Sequence, residues 1–382
     1  MRYDQFQAVF ALSSLANWVS KQTGTVQQLQ ADYQRVLLGT LASAPAQTAI
    51  GSWELVWGPQ VWQGKDSHRS DNAMFVARTR GLGDLGDVYV VAIAATNPLS
   101  PYDWTTEDFD VSKVVDFSTY DPTASTAPAQ LLDPTERTVG ISMGTALGVW
   151  HLLTMVSPPS GRAPGTTLDG FLKTVAGTGA SVIFTGHSLG GALSPTMATW
   201  FKSTHRLDAC KAVYCYPTAG ATPGNAAFAA LCTATLPPTS GNGYRVWNRD
   251  LWNAYDVVPH AWELTMLAQV GTLYDNTPFA LIDFAVEMAM NSARSSHIAY
   301  AQIANQKLAG TLSGVPTTSL AFMTQAAAQH TTAYSALIAY PLTPVVPPAQ
   351  ERLTAEVDTD AELYALLARL EADRRAATTA SP

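Results

Sequence analysis

One run constrains this chain more than any other: Ser181-Val182-Ile183-Phe184-Thr185-Gly186-His187-Ser188-Leu189-Gly190-Gly191-Ala192-Leu193. It begins with a β-prone stretch, passes through a glycine-flanked serine and continues into residues that suit a helix. A serine held in that strand, sharp turn and helix order projects its hydroxyl from a strained bend. The neighbours on such a bend must lack bulk, and Gly186, Gly190 and Gly191 supply that freedom. The helix that opens after Ser188 aims backbone N–H groups, Leu189 among them, at any negative oxygen formed there. Ser188 is therefore the candidate nucleophile, and Leu189 a candidate oxyanion donor. His187, beside it on the turn, points elsewhere and reads as packing.

The rest of the chain must build a scaffold around this bend. Its 382 residues are 47% hydrophobic and 14% charged, so a large core is available beneath a surface with fewer charges than the usual ~25%. The net charge of −8 comes with no concentration of Lys or Arg, which excludes a nucleic-acid footprint and favours a neutral or apolar ligand. Cys210, Cys215 and Cys232 lack a disulfide or metal-ligand pattern and read as buried thiols. The first residues form no compact apolar core of a secretion signal, and no apolar run is long enough to span a bilayer. The localisation this leaves open is a protein without a membrane span or an evident leader.

Helical spacing of Phe6, Val9, Phe10, Leu12, Leu15, Ala16 and Val19 predicts one N-terminal helix. Val26, Leu29, Tyr33, Val36 and Leu37 predict a second, opened by a Thr25/Gln28 capping box. Strands are predicted from Trp53 to Trp57, Ala73 to Ala77, Val88 to Ile93, Ser181 to Phe184, Ala212 to Tyr216, Tyr244 to Trp247 and His297 to Ile303. Helices are predicted near Thr145 to Met155, over Leu168 to Val175 and from Gly190. That alternation predicts an α/β fold with a mostly parallel sheet. The domain reading is residues 1–50 as helices packing on the core, 51–340 as the main α/β domain, and 341–382 as a Pro-rich linker, a helix carrying Leu363, Leu366, Leu367 and Leu370, and a disordered tail from Ala376.

The segment Gly186 to Leu193 resembles the class 3 lipases, the family of fungal-type triacylglycerol lipases and their bacterial relatives. Thr218-Ala219-Gly220-Ala221-Thr222-Pro223-Gly224-Asn225 and Asn253-Ala254-Tyr255-Asp256-Val257-Val258-Pro259 support the resemblance, which covers about residues 85 to 340. It implies an α/β-hydrolase fold, hydrolysis of apolar esters without a cofactor, and contact with a lipid–water interface. Metal ligands have no support in the spacing of His, Cys and carboxylates. An acyl transferase or polyester hydrolase using the same residues, and a non-catalytic binding scaffold of this fold, are the alternatives.

In this fold the acid and then the histidine follow the serine along the chain. Asp256 lies in a loop past the strand predicted at Tyr244 to Trp247 and matches the family's Asp-x-Val-Pro; Asp250 is the fallback. Of the late histidines, His260 is too close to Asp256, and His297 opens a predicted strand. His330 follows that strand by a loop, precedes a helix and has Tyr334 shortly after it, as the family does. His330 is the first candidate base and His297 the second. By the same resemblance Thr96, after the strand Val88 to Ile93, donates to the oxyanion, although Ala94-Ala95 replace the family's Arg-Gly. The segment Ser100 to Phe109, with Trp104, stands where the family carries its lid. The whole reading requires a serine oxygen presented at the bend and an imidazole from position 330 or 297 within reach of it.

Overall fold

In a computed structural model of the chain, the described residues are 2–65, 67–95, 110–135 and 137–380. Thr96 and the expected lid segment lie outside them. Seven strands form the central sheet: β1 (Glu54–Trp62), β2 (Asn72–Thr79), β3 (Val88–Ile93), β4 (Ser181–His187), β5 (Ala212–Thr218), β6 (Asp250–Asn253) and β7 (Asn305–Leu308). They stand side by side in chain order. The β1–β2 and β2–β3 pairs are antiparallel, and from β3 to β7 every pair is parallel.

Unbroken order has a consequence. Right-handed crossovers between successive parallel neighbours put every connecting helix on one face, so the opposite face needs another cover. Along β3, Tyr89, Val91 and Ile93 enter one core with residues of the helices Met143–Thr154, Leu168–Val175, Leu189–Ser203 and Ala226–Thr235. Val88, Val90 and Ala92 enter a second core, closed by the N-terminal helices Gln5–Ala16 and Val26–Ala42 and by Tyr334, Ile338 and Leu342. The first of these helices is buried from Ala8 to Ala16 except at Ser14, as a helix pressed onto a sheet must be. Both carry capping boxes, Asp4 with Gln7 and Thr25 with Gln28.

A third core joins Val257, Ile282, Phe322 and Met323 to Leu363, Leu366 and Leu370 of the C-terminal helix Thr359–Ala380. That helix continues to Ala380, into the segment expected to be disordered from Ala376. The chain ends are also tied to each other: Gln22–Thr23 pair with Ala355–Glu356 in a short antiparallel ribbon. Asp32, fully buried, accepts hydrogen bonds from the Leu353 and Thr354 amides at 2.9 and 3.0 Å and from the Thr354 hydroxyl at 2.9 Å, and pairs with Arg35. Asp32→Ala leaves the buried Thr354 amide without that acceptor, while the Thr354 hydroxyl keeps Gln22 Oε1 at 3.2 Å, and is expected to cost on the order of 2 kcal/mol in equilibrium urea unfolding. A loss under about 1 kcal/mol would mean that water replaces the carboxylate.

Two predicted strands are displaced. Tyr244 to Trp247 is irregular, and the strand begins three residues later at Asp250; His297 to Ile303 is likewise irregular, and β7 starts at Asn305. Val246 and Trp247 are buried without pairing, whereas β7 is built from Asn305, Gln306, Lys307 and Leu308. Edge pairing, not β-propensity, selects these residues. Of the three free thiols Cys215 and Cys232 are buried, but Cys210 is only half-buried.

Candidate active site

The bend after β4 is tightly constrained. Ser188 sits at φ 59° and ψ −121°, between the strand and the helix Leu189–Ser203. A side chain there at positive φ is strained. The flanking glycines serve close approach: a Cβ on Gly186 would lie 2.3 Å from the Gly190 carbonyl oxygen, and one on Gly190 would lie 2.6 Å from the Ile93 oxygen. The second approach brings the end of β3 against the bend. Leu189 is the first residue of the helix, where N–H groups have no partner within the helix.

His330 closes the helix Ser319–His330, rather than lying on a loop as expected, and the helix Ala333–Leu337 begins shortly after it. Its Nε2 lies 2.8 Å from the Ser188 Oγ, and its Nδ1 lies 2.9 and 3.0 Å from the two carboxylate oxygens of Asp256. Asp256, fully buried just past β6, accepts in addition from the Val258 amide at 3.0 Å and from the Tyr334 hydroxyl at 2.8 Å. Tyr334 Oη in turn accepts from the Asn253 amide at 3.0 Å. Burial and the Asp256 charge push the Tyr334 phenol well up, so it remains a donor. Because a carboxylate only accepts, Nδ1 carries the imidazole proton and Nε2 is left to accept from Ser188. Ser188 and His330 are 4% and 1% exposed, so the group is enclosed.

The remaining candidates fall elsewhere. His297 is exposed in the turn after the helix Ala280–Ser295. His260 donates from Nδ1 to the Asp256 carbonyl oxygen at 2.8 Å, and packs edge-on against Trp252. Asp250 opens β6 and its carboxylate takes the Gly220 amide at 3.2 Å. Burial pushes its pKa up to about 8, against the Gly220 bond and with help from the Asp256 charge, so it is neutral below that pH. A carboxyl raised in the folded state stabilises the fold at low pH and loses that contribution as pH climbs from its unfolded value of about 4 to about 8. Asp250→Asn imitates the neutral form. The mutant should therefore lack this decline, and its urea midpoint relative to wild type should rise between pH 5 and pH 8; parallel pH profiles would contradict the assignment.

Two contacts had no signal in the motif. His187, expected only to pack, has Nε2 2.7 Å from the His330 carbonyl oxygen and Nδ1 3.0 Å from the Thr218 hydroxyl. Asn17, at the end of the first helix, accepts the Ala95 amide at 2.8 Å through Oδ1, at the turn where Ala94-Ala95 depart from the family's Arg-Gly. A cavity of about 440 Å³ lies beside the bend, lined by Asn17, Ala95, His187, Ala327, Thr331 and Leu363 among others.

Comparison with known proteins finds lipases. Residues 164–265 match the family model for Lipase (class 3). The crystal structure of M37 lipase is 26% identical, with 88% of this chain and 93% of that chain aligned at a TM-score of 0.71. Lipase from Rhizopus microsporus var. chinensis is 16% identical over 67% of this chain and 69% of its own, at a TM-score of 0.40. Lipase II from Rhizopus niveus is 16% identical over 69% and 76%, also at 0.40. No curated protein matches the sequence. Among the described residues no helix is long and apolar enough to cross a membrane. With an α/β-hydrolase sheet, a strained serine bend, the family match across it and a structural likeness to M37 lipase over most of its length, the chain is similar to the class 3 lipases and is a lipase-type carboxylic ester hydrolase.

Proposed function

We propose that Ser188, His330 and Asp256 form the catalytic triad, and that the substrate is an apolar ester of the acylglycerol type. The observation that carries this reading is the unbroken hydrogen-bonded line from the Ser188 hydroxyl through both nitrogens of His330 to a buried carboxylate. In it, Ser188 Oγ attacks the ester carbonyl while His330 Nε2 takes its proton. Asp256 holds the imidazole tautomer and stabilises the imidazolium. The N–H of Leu189, with Thr96 as its expected companion, takes the charge on the tetrahedral oxygen; one such donor contributes on the order of 10² to 10³ in rate. Collapse releases the alcohol, protonated by His330, and leaves an acyl group on Ser188. Water activated by the same imidazole then frees the acid. Enclosure of the site strengthens each of these charge interactions by excluding solvent. Residues 51–340 form the hydrolase unit in this reading, and 1–50 with 341–382 brace it.

A serine-directed phosphonate ester tests the nucleophile directly. It should label one peptide, at Ser188, and abolish hydrolysis of a panel of esters of increasing acyl length in proportion to labelling. Label elsewhere with activity lost, or full activity after complete labelling of Ser188, would refute the assignment.

A further inference from the structure

We infer that His187 is a positioning residue for the base, joining nucleophile and imidazole through a single side chain; this rests on the triad reading above. His187 is the last residue of β4 and covalently precedes Ser188. Its Nε2 reaches the main-chain oxygen of His330 at 2.7 Å. A carbonyl oxygen only accepts, so Nε2 carries the proton. The ring is almost completely buried, and burial followed by the proximity of His330 holds it neutral. A neutral ring with its proton on Nε2 must accept at Nδ1, and the Thr218 hydroxyl, 3.0 Å away on the neighbouring strand, is the donor. The tautomer is thus set from both sides.

His330 ends its helix, where carbonyl oxygens lack partners within the helix. The His187 bond satisfies the carbonyl of the base residue itself, so the position of the base relative to Ser188 is fixed by one peptide link and one hydrogen bond. The His187 ring also faces the His330 ring with centroids 4.9 Å apart, and meets the Tyr334 ring edge-on at 5.0 Å. It therefore touches the base and the residue that orients Asp256, without reaching the reacting atoms.

The test compares His187→Phe, which keeps a ring but no donor, with His187→Gln, whose amide nitrogen lies as many bonds from Cβ as Nε2, and His187→Asn, whose amide falls short. Steady-state kinetics on a soluble short-chain ester give kcat and KM, with His330→Ala as control. Loss of the bond should lower kcat on the order of 10²-fold in the Phe and Asn variants with KM within about twofold, and Gln should recover at least about tenfold. Packing alone would not separate Gln from Asn, so equal kcat in those two, or a Phe variant within about threefold of wild type, overturns the inference. If the Phe variant does not fold, the Gln and Asn pair still decides. Wild-type activity in His330→Ala would instead defeat the triad reading, whereas an inactive His330→Ala beside a fully active His187→Phe defeats only the role of His187.

Discussion

Ser188→Ala and His330→Ala are each expected to lower kcat by on the order of 10⁶, and the double mutant to be no worse than either. The reason is geometric. With Ser188 Oγ 2.8 Å from His330 Nε2, the proposed triad has the hydroxyl and the imidazole share one proton transfer, so removing either member removes the whole step. What survives is catalysis from the oxyanion donors and substrate binding, on the order of 10³ to 10⁴ above water. Because both side chains are almost fully buried, truncation leaves small polar gaps more than large apolar cavities, so the folded state should persist. Single-turnover hydrolysis of a chromogenic ester, with foldedness checked by circular dichroism, provides the measurement. Multiplicative losses in the double mutant, or a His330→Ala enzyme within about tenfold of wild type, would show that the two act separately and that another group is the base.

The second large effect concerns the carboxylate. Asp256→Asn should reduce kcat by on the order of 10⁴ while changing KM little. Asp256 is surrounded by donors: the Val258 amide, the Tyr334 hydroxyl and His330 Nδ1 all point at its oxygens. An asparagine has one accepting oxygen and one donating nitrogen. Val258 donates to one Asp256 oxygen and Tyr334 to the other, with His330 Nδ1 within 3.0 Å of both, so an amide nitrogen in place of the oxygen that Nδ1 engages forces the proton from Nδ1 to Nε2. Nε2 then donates where it must accept, and Ser188 keeps its proton. A loss of only a few fold would mean that the amide flips to present its oxygen to His330, and Asp256→Ala would then separate orientation from charge.

The bend itself was legible because everything it needs is local. A β-prone run, three glycines and a helix-forming continuation lie within adjacent positions, and both the strand Ser181–His187 and the helix Leu189–Ser203 follow. The interior strand Val88–Ile93 was equally plain, since a strand facing two cores is apolar at every residue. The edge of the sheet was not legible. Asn305-Gln306-Lys307-Leu308 has no β signature, and it becomes a strand because β6 offers it a ladder. The burial of Val246 and Trp247 in an irregular segment misdirected the same reasoning from the other side.

Sequence by itself determined which serine stands on a strained bend, which order acid and histidine follow, and that the chain alternates strands and helices, because these depend on neighbours a few bonds apart. Tertiary structure alone decided that His330 and not His297 meets Ser188, since an approach across 142 positions depends on how the helix Ser319–His330 is docked. It also decided that the His187 ring reaches the His330 carbonyl oxygen and that the N-terminal helices close the second face of the sheet. Hydrogen bonds between groups distant in the chain form only after packing has brought them together, and packing energy is a sum over many contacts that no short motif contains.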